Sequence, residues 1–288
     1  MTGTASHSAP DLPGPDALAA ALQAALPLFG RVEWLAETGS TNADLLARAR
    51  QGVMNRPWLL GTHLQTQGRG RAGRTWQNRV GANLMFSCAF DVFLPARQLP
   101  TLAPLVGMAT CHALRQLIGP QARARLTMKW PNDLLWDHAK LAGILIESTR
   151  SGTAQVADHH LIIIGMGLNL LDARALSQSL DRRVADWAGI AATNTMAARA
   201  SADRLAAAAA RAWYEALNRA TAHGFADLPA RYAQVDALAG QAVDVIDDGK
   251  LRQTGVACGV DTQGRLLLRN AEGMHAVSVG EISVRLRR

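Results

Sequence analysis

Lysine is scarce in this chain, with 3 residues against 27 arginines among 288. Two of the three, Lys129 and Lys140, bracket one segment, K-W-P-N-D-L-L-W-D-H-A-K-L-A-G-I-L. Arginine serves almost everywhere else, so these positions favour a compact charge on a flexible stem over a planar fork. With Asn132 and Asp133 between them, the pair suits a phosphate or carboxylate ligand; the plainer alternative is two solubilising charges on strand edges. A second basic segment reads Gly68-Arg69-Gly70-Arg71-Ala72-Gly73-Arg74-Thr75-Trp76. Its glycines let the backbone approach a ligand closely, and its arginines can aim bidentate donors at phosphates or a carboxylate. Trp76 ends it with a flat face suited to a purine. Little apolar surface holds such a loop, which should be mobile when empty and ordered by an anionic ligand. It matches neither the Walker loop nor the dinucleotide fingerprint. The competing reading is an RNA-binding arginine/glycine tract, but such tracts repeat and this one occurs once.

Three further segments gain meaning beside these two. Pro131 cannot continue a ladder, so Asn132 and Asp133 should lie at a strand-to-strand turn, with Lys140 and Gly143 on the next strand. Gly143 would admit a flat ligand, while Asp133 either pairs structurally with an arginine or takes part in catalysis. Gly165-Met166-Gly167-Leu168-Asn169 ends an apolar strand. Its alternate glycines, Gly165 and Gly167, should leave a flat floor with Asn169 at the rim. Ser40-Thr41-Asn42 has the chemistry of a helix cap, and a ligand role arises only in company with the other segments. The histidines lack metal-ligand spacing, so no metal site is expected on the protein.

The elements that must position these residues follow from pattern. Residues 1–15 read as a disordered tail rich in Ser, Pro and Gly. A helix capped by Asp16 should run to about Pro27, and Glu33 to Glu37, Leu59 to Leu64 and Asn83 to Phe90 read as strands. A helix starts after Ser40, another spans Leu99 to Ile118, and Ser201 to His223 is a third. Arg125 to Leu170 reads as a β-meander, with turns at Pro131-Asn132, Asp137-His138 and Ser151-Gly152. From Gln241 short strands recur, which suggests a small SH3-like barrel, residues 240–288, after a main domain of residues 16–239.

Composition sets the outer limits. With 49% hydrophobic residues and mean hydropathy near zero, the chain should be a soluble globule. The apolar run Leu161 to Leu171 is too short to cross a bilayer. Three separated cysteines and no leader-like opening point to a reducing cytoplasm. The net charge of +7 raises the question of nucleic acid. From Leu64 to Phe90, however, there is no Asp or Glu beside Arg69, Arg71, Arg74 and Arg79, a patch whose size equally fits a small anion.

In order, E-T-G-S-T-N from Glu37, Q-T-Q-G-R-G-R-A-G-R-T-W, K-W-P-N-D-L, K-L-A-G-I-L, G-M-G-L-N and G-E-I-S-V-R from Gly280 resemble the biotin protein ligases. The resemblance covers roughly residues 30–288. It implies an α+β catalytic domain with a mixed sheet, related to class II aminoacyl-tRNA synthetases, followed by the SH3-like barrel. It also implies formation of biotinyl-5′-AMP and pyrophosphate from biotin and ATP with Mg²⁺, then transfer to a lysine of a biotin carboxyl carrier protein. By motif match, Ser40, Thr41, Asn42 and Gln65 would bind biotin together with Gly143, Gly165 and Gly167, and Arg69, Gly70 and Arg71 would close over it. Lys140 would hold the carboxylate and the α-phosphate. Arg71, Arg74, Trp76, Lys129, Asn132 and Asn169 would serve ATP. Lys140, Arg71 and Asp133 would be catalytic, with Asp133 orienting or deprotonating the acceptor lysine. The chain would be a short form without the DNA-binding domain of repressor-type members, neither DNA- nor membrane-bound, and a monomer or homodimer. Two departures stand out: Ala72 replaces a further loop arginine, and Met166 is larger than the alanine found in some members. A lipoate ligase is the nearest rival, and a non-catalytic nucleic-acid-binding module a distant one.

Overall fold

The computed structural model describes residues 12–51, 56–150, 158–280 and 282–287. Most of the expected tail and the Ser151-Gly152 turn lie outside them, although Leu12 packs on the core and Pro15 already opens a helix. In α1 (Pro15–Ala25) the cap is Gly14, with Pro15 in the first turn and Asp16 beside it, instead of Asp16 as cap. The first turn has no use for the N–H that proline lacks. β1 (Arg31–Thr38), α2 (Thr41–Arg50), β2 (Trp58–Gln65) and β3 (Asn83–Phe93) follow. The helix expected over Leu99 to Ile118 divides into a 3₁₀ stretch containing Pro100 and α3 (Leu102–Arg115).

The meander is β4 (Leu126–Lys129), β5 (Asp133–Trp136), β6 (Ala139–Arg150) and β7 (His159–Asn169). Then come α4 (Ala173–Leu180), α5 (Trp187–Ala191), α6 (Thr195–Ala198), α7 (Ala202–His223) and α8 (Leu228–Tyr232). Apart from α7 these were not expected; α5, α6 and α8 are four or five residues long, too short for a helical period to register. None of the described helices is long and apolar enough to cross a membrane.

The first sheet has seven strands in the order β1-β2-β3-β7-β6-β5-β4, with β1 parallel to β2 and the remaining pairs antiparallel. Alternation along its central strands divides the two faces. Leu84, Phe86, Cys88 and Phe90 of β3, with Ile162, Ile164, Met166 and Leu168 of β7, join the main core beneath α1, α3 and α7. Residues of the opposite register, Ala89, Leu161 and Ile163, meet Leu45 of α2 in a smaller cluster. The polar functional side chains occupy the remainder of that second face.

The C-terminal strands are β8 (Ala242–Asp247), β9 (Lys250–Val260), β10 (Leu266–Asn270), β11 (Gly273–Val277) and β12 (Ser283–Leu286). They pair antiparallel as β11-β10-β9-β8-β12. Among the described residues β11 and β12 do not pair, so the expected barrel is an open five-stranded sheet. Carbonyls at the head of β12 are instead engaged by the arginine loop, as described below. One core cluster nevertheless runs through both sheets, from Phe86 and Trp130 to Val245, Leu266 and Val284. The seam is pinned where the Trp130 indole N–H donates to the Gly264 carbonyl at 2.9 Å and Thr101 Oγ1 donates to the Gln263 carbonyl at 2.8 Å.

Trp130 is 1% exposed, so Trp130→Phe orphans a buried carbonyl and should cost about 1–3 kcal/mol. Urea unfolding should show that loss together with faster proteolysis at the junction near Gly240; unchanged values for both would contradict the seam.

Candidate active site

Two rows of paired residues cross the sheet, and part of each lines a cleft of about 350 Å³. The first runs Lys129, Asp133, Gly143, Gly167, Met85, Thr62 across six strands, each residue opposite the next. The second runs Leu145, Gly165, Ser87, Leu60. Paired residues share a face, so the cationic segment and the glycine strand meet on one surface although they are far apart in sequence. Lys140 lies three residues from Gly143, and in a regular strand the two would face opposite sides. A bulge intervenes: Gly143 and Ala142 pair with Asp133 and Leu134, but Leu135 already pairs with Lys140, leaving Leu141 as the extra residue. The bulge re-aims the side chain, so Lys140 joins the cleft while Leu141 and Ala142 both enter the core.

Lys140 Nζ pairs with Asp133 Oδ1 at 2.6 Å. Asp133 therefore partners a lysine, whereas the structural alternative anticipated an arginine. Burial pushes the Asp133 carboxyl up, but Lys140, Lys129 and Arg182 together hold it below the usual carboxylate range. Burial lowers Lys129; Asp133 works against that, while Lys140, Arg285 and Arg182 add to it.

At the other end of the cleft lies a chain of buried polar groups. Ser40 occupies the N-cap of α2 but makes no side-chain cap bond. Gln65 Oε1 accepts from the Thr41 N–H at 2.9 Å instead, so another strand satisfies this helix terminus. Thr41 Oγ1 and Ser87 Oγ lie 2.6 Å apart, Ser87 Oγ donates to Asn42 Oδ1 at 2.5 Å, and Asn42 Nδ2 donates to Glu147 Oε2 at 2.8 Å. Glu147 Oε1 then meets Arg69 at 3.5 Å. Side-chain capping thus does not account for these residues: Thr41, Asn42, Gln65 and Ser87 form a linked polar wall, with the buried Ser40 next to it in the chain.

The expected flat floor is occupied by protein. A Cβ at Gly165 would overlap the Asn42 amide, and one at Gly167 would overlap the Trp76 indole. Trp76 lies over these strands with Lys140 Nζ 5.7 Å from its ring centroid, and its indole N–H is buried with no partner among the described residues.

The arginine loop is held by its charged arms. Arg69 bridges to Thr75, and the Gly70 N–H donates to the Arg74 carbonyl at 2.7 Å. Arg71 Nη1 donates to Asn132 Oδ1 at 3.0 Å, while Nη2 donates to the Gly280 carbonyl and, at 3.1 Å, to that of Ile282. Arg74 donates to Ser283 Oγ at 2.8 Å. Arg79, beyond the loop, pairs with Asp172. The Arg71 and Arg74 guanidinium groups reach to Asn132 and across to the second sheet, unlike the open cationic face of a nucleic-acid tract.

Ser40, Thr41, Asn42, Gln65, Arg69, Gly70, Arg71, Arg74, Trp76, Lys129, Asn132, Asp133, Lys140, Gly143, Gly165 and Gly167 all line the one cleft. Asn169 lines a small adjoining cavity instead. Its amide donates to the carbonyls of Lys140 and Ala185 at 3.2 and 3.1 Å and accepts from Asn83 at 3.1 Å, so it braces the Lys140 strand. Sequence reasoning missed Ser87, Glu147, Arg182 and the β12 contacts. Ser87, a hydroxyl inside an apolar strand, carried a readable signal; the others depend on long-range pairing.

For Asp133→Asn, Lys129 and Lys140 lose their shared counter-charge, and stability at neutral pH should fall by about 1–3 kcal/mol. A carboxyl with a depressed folded pKa stabilises fully above its unfolded value of 3.8, and that contribution is lost as pH falls through the lower folded value. The stability gap between parent and variant, followed by denaturation from pH 7 downward, should therefore hold until about pH 4 and then close.

Residues 34–169 match the Biotin/lipoate A/B protein ligase family, and residues 239–285 match the Biotin protein ligase C terminal domain. A biotin--[acetyl-CoA-carboxylase] ligase of Paracoccus denitrificans is 33% identical over 253 residues, covering 86% of this chain and 98% of its own. One from Mycobacterium tuberculosis is 32% identical over 254 residues, covering 88% of each chain. The solved biotin protein ligase of Aquifex aeolicus in complex with biotin and ATP superposes with a TM-score of 0.70 at 23% identity, over 90% of this chain and all of that one, a likeness of fold. With the motifs gathered in one cleft and relatives matching nearly end to end, the chain belongs to the biotin protein ligase family.

Proposed function

We propose that this protein is an ATP-dependent ligase that joins biotin to ATP, releases pyrophosphate and passes the biotinyl group to a lysine of a carboxylase's carrier domain. One observation carries this reading: a single cleft has a neutral wall of hydroxyls and amides at one end and a lysine–carboxylate pair among further cations at the other. The wall of Ser40, Thr41, Asn42, Gln65 and Ser87 suits a ureido ring, which both donates and accepts hydrogen bonds, better than it suits an aliphatic dithiolane. The relatives' names, biotin--[acetyl-CoA-carboxylase] ligases, favour the same substrate and a carboxylase carrier as acceptor.

In the first step a biotin carboxylate oxygen attacks the α-phosphorus of ATP, and the bond from that phosphorus to the pyrophosphate oxygen breaks. Two anions must meet, so cations are needed to hold both and to stabilise the charge on the transferring group. Lys140, turned into the cationic end by its bulge, would hold the carboxylate and the α-phosphate. Arg71, Arg74, Lys129 and Asn132 would serve the phosphates, and Trp76 the base or the ligand's flat face. Magnesium accompanies the triphosphate. Among the described residues no three His, Cys, Asp or Glu side chains converge, so its oxygens would come mainly from phosphates and water.

In the second step the acceptor amine, with an ordinary pKa of about 10.4, must shed a proton before attacking the acyl carbon and displacing AMP. Asp133 is held anionic and acidic, which suits it to receive and orient an ammonium more than to strip its proton. Release of Lys140 to the substrate would free Asp133 for this task. The protein is proposed to act in the cytoplasm as a monomer or homodimer, without binding DNA.

The direct test is ATP/pyrophosphate exchange, which should depend on biotin and not on lipoate; lipoate-dependent exchange would replace this reading. Lys140→Ala should abolish exchange while the protein stays folded. Arg71→Gly removes bonds to Asn132 and to the second sheet, so adenylate should escape and label bystander proteins several-fold more, scored by avidin blotting.

A further inference from the structure

We propose that Arg182 is a phosphate-binding residue of this cleft, holding the β- and γ-phosphates of ATP beside Lys129, on a segment keyed to the backbone of Lys140. The proposal rests on the ligase reading above and assigns a residue outside its motifs. Arg182 lines both the main cleft and the small cavity beside it and follows the turn after α4. Its side chain is exposed, but its backbone is fixed. The Arg182 N–H donates to the Ser177 carbonyl at 3.3 Å, and the Val184 N–H to Ser177 Oγ at 3.0 Å. Val184 forms a parallel bridge with Lys140: the Lys140 N–H donates to the Arg183 carbonyl at 3.0 Å, and the Ala185 N–H to the Lys140 carbonyl at 2.9 Å. Asn169 clamps both sides of that bridge through the Lys140 and Ala185 carbonyls.

Of the two neighbouring arginines, Arg182 lines the cleft and Arg183 does not. Arg183 acts on Asp137 at the β5–β6 turn, whereas the charge of Arg182 is felt by Lys129 and Asp133 inside the cleft. Asp133 is already held by Lys140 at 2.6 Å. Arg182 thus adds repulsion to a place where Lys129 is already strained by burial and by like charge. Such clustering suits a ligand carrying several negative charges at one end. In the reaction, the breaking bond sends its electron pair to the pyrophosphate oxygen. A guanidinium there can bind the leaving group with paired donors, while its tether keeps it in register with the lysine at the α-phosphate.

The experiment compares wild type, Arg182→Ala and Arg182→Lys in biotin-dependent ATP/pyrophosphate exchange, and measures biotin binding without ATP by calorimetry. Arg182→Ala should raise the KM for ATP and for pyrophosphate about tenfold to a hundredfold, the scale of a hydrogen bond to a charged group. Biotin affinity should be unchanged and Arg182→Lys should recover part of the loss. An unaltered KM for both nucleotide and pyrophosphate overturns the role of Arg182. So does a parallel loss of biotin affinity and thermal stability without rescue by lysine, the mark of a structural role. A folded wild-type protein lacking biotin-dependent exchange overturns the ligase reading itself.

Discussion

The ion pair between Lys140 and Asp133 is the contact around which the cleft is arranged. Lys129, Arg71, Arg74 and Arg182 line the cleft around it, and Asp133 is the carboxylate whose charge the half-buried Lys129 feels. Without a counter-charge, cations this close repel with several times the energy they would show in bulk water. The sheet meets the constraint geometrically. One transverse row sets Lys129 beside Asp133, and the bulge at Leu141 turns Lys140 onto the same face. On the proposed reading the pair would be exchangeable, a substrate carboxylate or phosphate taking the place of Asp133 at Lys140. Its role there would be to keep the Lys140 charge compensated while the ligand is away.

That arrangement was partly visible in the sequence, for identifiable reasons. The meander strands were legible because apolar alternation and turn residues recur at short range, and the Gly-Arg loop and lysine segment were legible because their residue types are unusual together. The bulge was not. Residues 139–145 read equally well as an unbroken strand, and only the pairing with β5 shows Leu141 as the extra residue. Ser40-Thr41-Asn42 looked like a cap because the residue types are those of a cap, yet Gln65 satisfies the terminus and frees the hydroxyls and amide for the wall. Asn169 was expected at the ATP rim on its motif, but its three hydrogen bonds are to the protein. Arg182 follows a helix that few local signals announced.

The loop of interleaved glycine and arginine shows how a segment with little apolar surface can still have a defined shape. Its backbone closes on itself between Arg69 and Thr75, and its side chains supply tethers that a core would otherwise provide. Each tether is a hydrogen bond in partial contact with solvent, of modest net strength. Such an assembly can open and reform one bond at a time, unlike a buried hydrophobic segment. If the loop closes over an acyl phosphate as proposed, that behaviour would let it exclude water and later admit an amine.

The seam between the two sheets has a consequence for how such a chain can be taken apart. A cut near Gly240 would follow the change of texture in the sequence, but it would run through the site's own supports. Arg71 and Arg74 are anchored on residues 280–283, and Trp130, immediately before the Pro131-Asn132-Asp133 turn, is anchored on Gly264. Grafting the small sheet of a relative onto this catalytic sheet would therefore transplant half of a latch. An exchange into this chain has to carry the arginine loop and the head of the last strand together.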